Sequence, residues 1–301
     1  MALKPKLVVI AGPTSSGKTD LAIELAKKFN GEIVSADSRQ VYKGMDIGSG
    51  KATKEQQQEV PHHLLDVVDP KDRFTVSDYK RFADEAIEDI VRRGKLPFLV
   101  GGTGLYIQVV VDNFEISTGE EDLAYREELE GKSLDELVVL LQKTDPESYD
   151  NIDLDNKRRV VRALEVNHTT GQSFFKEKKK GEASYDALML GIDVSRDELY
   201  RRIDQRVDER ITEGMIEEVQ ELLNGGVDEK RLYDFGQEYR FCLQYIQGEW
   251  ETKEEMVQRL KYAIHGFARR QMTWFRKDKR IVWVKTNEKA IEEIQKFFVK
   301  K

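Results

Sequence analysis

Gly12-Pro13-Thr14-Ser15-Ser16-Gly17-Lys18-Thr19 fits the phosphate-loop pattern of a glycine, four residues and then Gly-Lys-Ser/Thr. The run before it, Leu7-Val8-Val9-Ile10-Ala11, is apolar and strand-like, and residues 19–29 after it have helical periodicity. Strand, glycine loop and helix start in that order give the pattern a structural context. Gly12 and Gly17 let successive backbone N–H groups turn inward onto phosphate oxygens. The helix N-terminus adds its partial positive charge. Lys18 is placed to reach the outer phosphate, and the Thr19 hydroxyl to sit on Mg²⁺. The loop alone leaves open whether its diphosphate belongs to a nucleotide.

Outward from the loop, residues 32–36 read as a second buried strand ending at Asp37-Ser38-Arg39-Gln40. An acid at a strand's carboxyl end lies in the crevice where open α/β sheets bind ligands. Residues 95–100 form a third strand running into Gly101-Gly102-Thr103-Gly104, where Thr103 is a candidate hydrogen-bond donor to a phosphate or substrate. Adjacent His62 and His63 point in different directions on any regular element, so a structural or hydrogen-bonding role is expected in place of zinc. Further strands are expected at 187–192 and 280–284. Helices are expected at 77–93, 196–210, 213–223, 239–246, 253–276 and 290–298. Residues 113–182 are charged, lack strand pattern, hold helices near 123–130, 134–143 and 157–166, and end in a lysine-rich stretch (174–181) that reads as a flexible loop. The expected fold is α/β, a P-loop NTPase-like parallel sheet of about five strands flanked by helices. Residues 1–112 and 183–301 make the core, and 113–182 a small helical insertion over the site.

Composition narrows the class. The chain has 301 residues, 39% hydrophobic and 35% charged, with a net charge of -7. Such a balance argues against a surface that coats nucleic acid throughout, while leaving room for local basic stretches at 157–162 and 269–280. The apolar runs are far too short to cross a bilayer. Cys242 is the single cysteine, which excludes an internal disulfide and fits a reducing cytoplasm.

With these motifs assembled, the chain resembles the tRNA dimethylallyltransferase (tRNA isopentenyl transferase) family. The ordered blocks that carry the likeness are residues 12–19, Asp37-Ser38-Arg39-Gln40-Val41-Tyr42, Asp46-Ile47-Gly48, Val60-Pro61-His62-His63-Leu64, Gly101-Gly102-Thr103-Gly104-Leu105-Tyr106, residues 159–166 and Arg270-Gln271-Met272-Thr273-Trp274-Phe275-Arg276. The resemblance implies transfer of a dimethylallyl group from its diphosphate to N6 of an adenosine beside the anticodon. It implies that Gly12, Pro13, Thr14, Ser15, Ser16, Gly17, Lys18 and Thr19 hold the diphosphate with Mg²⁺. It places Asp37, as general base, with Ser38, Arg39 and Gln40 at the flipped adenine. Thr103, Arg126, Arg158, Arg159, Val160, Val161 and Arg162 are implied to contact the tRNA anticodon stem-loop or close on the site. No protein partner is implied and a monomer is expected. The chain departs from the family pattern at Arg158-Arg159, at Glu238-Tyr239-Arg240-Phe241 and at Ile264-His265, changes that bear on the grip on tRNA and leave the diphosphate loop intact.

The residues support that chemistry independently. Adenine N6 is a poor nucleophile, so the reaction needs an electrophile of carbocation character and a base. An allylic diphosphate supplies the first, with loop N–H groups, Lys18 and Mg²⁺ stabilising the leaving group. Asp37 supplies the second. Trp274 and Phe275 are expected to pack in the core, with base stacking as the alternative. The rival activity is a P-loop kinase phosphorylating a small molecule or nucleotide with ATP. Against it, the strand at 96–100 is followed by Gly-Gly-Thr and not by an Asp; a GTP-binding switch is opposed by the lack of an Asn-Lys-x-Asp guanine reader, since Asn156-Lys157 is followed by Arg-Arg. A non-catalytic RNA-binding relative is the third reading, opposed by the intact Lys18, Thr19 and Asp37.

Overall fold

The structure, a computed structural model, describes residues 4–114, 122–177 and 181–299. It divides into two compact units, Met1–Val111 with Ser184–Lys301, and Asp112–Ala183. The lysine run of the expected flexible loop, at 178–180, lies outside the described residues.

In the larger unit the chain begins with β1 (Lys6–Ala11), α1 (Lys18–Lys28), β2 (Gly31–Ser35), α2 (Lys54–Glu59), β3 (His62–His63), α3 (Val76–Arg92), β4 (Leu96–Gly101) and α4 (Gly104–Val111). The smaller unit holds α5 (Leu123–Glu130), α6 (Leu134–Thr144), α7 (Pro146–Asn151), α8 (Lys157–Thr170) and α9 (Phe174–Glu177). The larger unit then resumes with β5 (Asp186–Ile192), α10 (Arg196–Glu213), α11 (Met215–Asn224), α12 (Glu229–Asp234), α13 (Gln237–Ile246), α14 (Lys253–Lys277), β6 (Val282–Val284) and α15 (Asn287–Val299).

Six parallel strands lie in the order β3-β2-β4-β1-β5-β6. Residues 7–11 of β1 are wholly buried, which explains an apolar run without alternation: this strand has both faces and both edges covered. Helix α3 is started by a capping box between Thr75 and Asp78 and buries Tyr79, Ala83, Ile87 and Ile90 along one face. A second apolar cluster joins α10, α11, α13 and α14 through Val207, Met215, Leu243 and Leu260 to Val41, Tyr42 and Met45, which follow Asp37 in the chain. That cluster is what fixes the segment after β2.

The sixth strand, β3, escaped the sequence reading because two histidines are too short a run to show a period. His62 Nδ1 lies 2.7 Å from the Val60 carbonyl. His63 Nε2 lies 2.7 Å from Glu32 Oε2, and the buried Glu32 also accepts from Arg93 Nη1 (2.5 Å) and Nη2 (2.7 Å) and from Lys95 Nζ (2.6 Å). This ion cluster ties β2, β3 and the approach to β4 together near the amino ends of the strands. Helices α2, α4, α7, α9 and α12 were also missed, each being eight residues or fewer.

The smaller unit has its own core, with Leu129, Leu137, Leu141, Val160, Val161 and Leu164 buried against one another. Its two ends are joined: the Asn113 carbonyl accepts from Gly181 N (3.0 Å), and Asn113 Nδ2 donates to the Glu182 carbonyl (2.9 Å).

Candidate active site

The loop between β1 and α1 has left-handed backbone at Ser15 (φ 59°) and Gly17 (φ 89°), a geometry that turns successive N–H groups toward one concavity. Ser16 Oγ is buried there without a hydrogen-bond partner, and a Cβ on Gly12 would stand 2.9 Å from it. An orphaned buried hydroxyl in a cradle of N–H groups suits a bound anion. Lys18 Nζ reaches across the loop to donate to the Pro13 carbonyl at 2.7 Å. Burial lowers the Lys18 pKa to about 8; the charge of Asp37 opposes the shift and that of Arg206 adds to it. Thr19 lies in the first turn of α1.

Asp37 and Thr103 come from neighbouring strand ends. Ala36 N donates to the Val100 carbonyl (2.7 Å) and Thr103 N to the Ala36 carbonyl (3.2 Å), while Ser38 N donates to Thr103 Oγ1 (3.2 Å). This close approach requires a glycine at 101, where any Cβ would collide with the Ala36 carbonyl. Asp37 Oδ1 accepts from Arg39 N at 2.9 Å, which fixes the carboxylate at the turn. The side chains of Arg39 and Gln40 anchor the segment. Arg39 Nη2 donates to the Asp234 carbonyl (3.2 Å), and Gln40 accepts from Ser35 Oγ (2.9 Å) while donating to the Gly50 carbonyl (3.2 Å).

Several groups at this site were not singled out from sequence. Arg202, Arg206 and Arg210 follow one another at i, i+4 and i+8 on α10, hence along one face. Arg202 Nη1 lies 3.4 Å from the Ser16 carbonyl, and the buried Arg210 donates to the Gly48 carbonyl at 3.2 Å. Burial and the neighbouring Arg210 lower the Arg206 pKa to about 10. The four-residue arginine spacing is a legible signal, masked by the many other charges of both signs on α10. Glu218 of α11 is buried and accepts from three successive N–H groups, Asp46 (2.8 Å), Ile47 (2.6 Å) and Gly48 (3.0 Å), and from the Tyr239 hydroxyl (3.1 Å). It fixes the glycine-rich stretch beyond Asp37. On α14, Gln271 bonds the phosphate loop, Phe275 is fully buried, and half-buried Trp274 packs on Gly104, where a Cβ would collide with its ring.

In the smaller unit, Arg158 and Arg159 are exposed in the first turn of α8 beside Lys157, with no acid in that turn. Cations at a helix N-terminus oppose the helix dipole, an arrangement that an external anion would relieve. Arg126 lies 3.2 Å from both Glu130 and buried Glu165, and Arg162 3.7 Å from Glu165. Val160 and Val161, from the same segment, are buried in the unit's own apolar core.

A phosphate loop on a parallel sheet, with a carboxylate at the next strand end, defines an α/β enzyme of the phosphate-loop class. Residues 40–278 match the family model described as IPP transferase, and residues 5–69 one described as isopentenyl transferase. The chain belongs to this tRNA dimethylallyltransferase family, and is a prenyltransferase. It is 43% identical over 290 residues to tRNA dimethylallyltransferase 1 of Trichlorobacter lovleyi, covering 94% of each chain, and 42% identical over 292 residues to tRNA dimethylallyltransferase of Anoxybacillus flavithermus, covering 96% of this chain and 93% of that one. The crystal structure of the full-length tRNA isopentenylpyrophosphate transferase from Bacillus halodurans is similar with a TM-score of 0.73 and 40% identity, covering 98% of this chain and 96% of that one. A eukaryotic dimethylallyltransferase captured acting on tRNA is similar with a TM-score of 0.76 and 30% identity, over 90% of this chain and 69% of that one. The kinase alternative is not favoured.

Proposed function

We propose that the chain transfers a dimethylallyl group from dimethylallyl diphosphate to N6 of the adenosine on the 3′ side of the anticodon, releasing diphosphate. The observation that supports this reading is a chain of hydrogen bonds joining the turn after β2, which holds Asp37, to the phosphate loop: Ser38 N donates to Thr103 Oγ1 (3.2 Å), and Gln271 bonds both the Gly102 carbonyl (2.9 Å) and Thr14 N (3.0 Å). A diphosphate grip and a base then share one crevice. The bond from the allylic carbon to the diphosphate oxygen breaks as the bond to N6 forms. Negative charge developing on the leaving group is met by loop N–H groups and Lys18, with Arg202 and Arg206 beside them. Asp37 accepts the hydrogen bond from N6 and then its proton. Thr103 Oγ1 already accepts from Ser38 N, which leaves its own proton to donate to phosphate or substrate.

Mg²⁺ fits the donor set, because it is held by few protein oxygens together with phosphates and waters; Thr19 is the residue that would hold it. When bound it supplies neutralisation of diphosphate charge. The adenine leaves its stack to enter the crevice, at a cost of a few kcal/mol that is smaller in a loop than in a duplex. Arg158, Arg159, Arg162 and Arg126, with the basic stretch at 269–280, offset that cost through phosphate contacts. The enzyme works in the cytoplasm as a monomer, and no energy-yielding nucleotide is needed.

The test is incubation with labelled dimethylallyl diphosphate and tRNA lacking the modification. Label passes to tRNA in the expected result; hydrolysis of ATP in response to a small acceptor, with no labelled tRNA, would establish the kinase instead. Asp37→Ala abolishes transfer and keeps diphosphate binding measurable. Equal loss of both would remove its role as base.

A further inference from the structure

Gln271, on α14, is far in sequence from the phosphate loop yet holds it. Its Oε1 accepts from Thr14 N at 3.0 Å, and its Nε2 donates to the Gly102 carbonyl at 2.9 Å. One side-chain amide therefore ties the loop after β1 to the turn after β4, the ends of two neighbouring, paired strands. Only an amide does both, since a carboxylate has no proton for the carbonyl and a hydrocarbon offers neither group. The fit is tight. A Cβ on Gly102 would stand 2.6 Å from Gln271 Nε2, so the glycine at 102 is what leaves room for the amide.

We propose that Gln271, admitted by Gly102, is a positioning residue that pre-forms the phosphate loop for its diphosphate. Held at Thr14, the loop keeps its inward-facing N–H groups in place before the ligand arrives, so less ordering free energy is lost on binding. The clamp acts on the donor and touches no reacting atom. Its loss therefore weakens capture of the allylic diphosphate and leaves turnover at saturation nearly intact. This inference rests on the reading of the loop as a diphosphate grip.

The experiment compares wild type with Gln271→Met, which keeps the length and packing of the side chain and removes both hydrogen bonds. Steady-state kinetics with dimethylallyl diphosphate and unmodified tRNA are combined with calorimetric binding of inorganic pyrophosphate. Expected for Gln271→Met is a rise of about tenfold in KM for the donor and in the pyrophosphate Kd, the worth of about one hydrogen bond. Its kcat stays within about twofold and its KM for tRNA is unchanged. Gly102→Ala, which displaces the amide, raises donor KM similarly, and the double variant is no worse than the worse single one, because both remove the same interaction. Gln271→Glu is poorer than Gln271→Met, since it faces diphosphate with a negative charge. A Gln271→Met enzyme with wild-type donor KM, or fully additive effects of Gly102→Ala and Gln271→Met, overturns the clamp. Thermal melts of every variant identify one that fails to fold, and the remaining variants then decide. A wild-type enzyme that neither binds pyrophosphate nor transfers the prenyl group would overturn the functional reading itself, a result distinct from a silent Gln271.

Discussion

Lys18 titrates in a range where its charge matters. A pKa of about 8 leaves the ammonium charged below that pH and neutral above it. On the proposed function the charged form is the one that grips the diphosphate, so kcat/KM for the donor is expected to fall as pH rises through about 8 in the free enzyme. Lys18→Arg removes this alkaline fall from the accessible range, because guanidinium stays protonated. A profile that is flat to pH 10 in wild type, or unchanged in Lys18→Arg, would show that another group governs it. The sequence displayed Lys18 through the phosphate-loop pattern, and Asp37 and Thr103 because each follows closely on a short apolar strand. It did not display what Gln271 or Glu218 holds, since an amide or acid on a surface-patterned helix looks the same whether it faces water or clamps a loop.

At the scale of single elements, β2 carries its own pH sensitivity. Glu32 is buried, and its carboxyl is held well below the usual carboxylate range, first by the hydrogen bonds from Arg93 and then by Lys95 and His63, against the opposing effect of burial. A carboxyl depressed in the folded state stabilises above its unfolded pKa of about 4.3, and that contribution is lost as the pH falls below it. Glu32→Gln removes the carboxylate that Arg93, Lys95 and His63 share, while Arg93 keeps Asp89; it lowers stability at pH 7 and flattens the loss of stability as the pH falls below about 4.3, and urea melts across pH 7 to 3 measure both. Helix α8 makes a different prediction. Arg159→Ala weakens tRNA binding and reduces the slope of log K against log salt by about one, the worth of one phosphate contact. An unchanged slope would take that turn out of the RNA interface. Long helices such as α3 and α14 were legible from their apolar stripes. The short ones were not, because one or two turns cannot show a period and α4 is apolar nearly all round.

For the molecule as a whole, the separate core of residues 112–183 and the bonding of Asn113 to Gly181 and Glu182 make that unit removable. Joining residue 111 to 184 through a short Gly-Ser linker leaves a folded sheet that binds pyrophosphate and has lost affinity for tRNA. Circular dichroism, calorimetry and filter binding test the three parts, and tRNA affinity undiminished from that of the full chain would contradict the assignment of the arginines on α8. The change of composition along the chain made this excursion legible. Strand order was beyond reach, because nothing in an apolar run names its neighbour. That order has a consequence for how the molecule is made. β1 pairs with β4 on one edge and with β5 on the other, and β5 begins only at Asp186. On the ribosome, one edge of the most apolar strand stays unpaired while the whole of residues 112–183 is synthesised, a window open to misassociation. The phosphate loop emerges complete by Thr19 but waits for Arg202 and Gln271 to hold it. The first part of the site to be translated is the last to be finished.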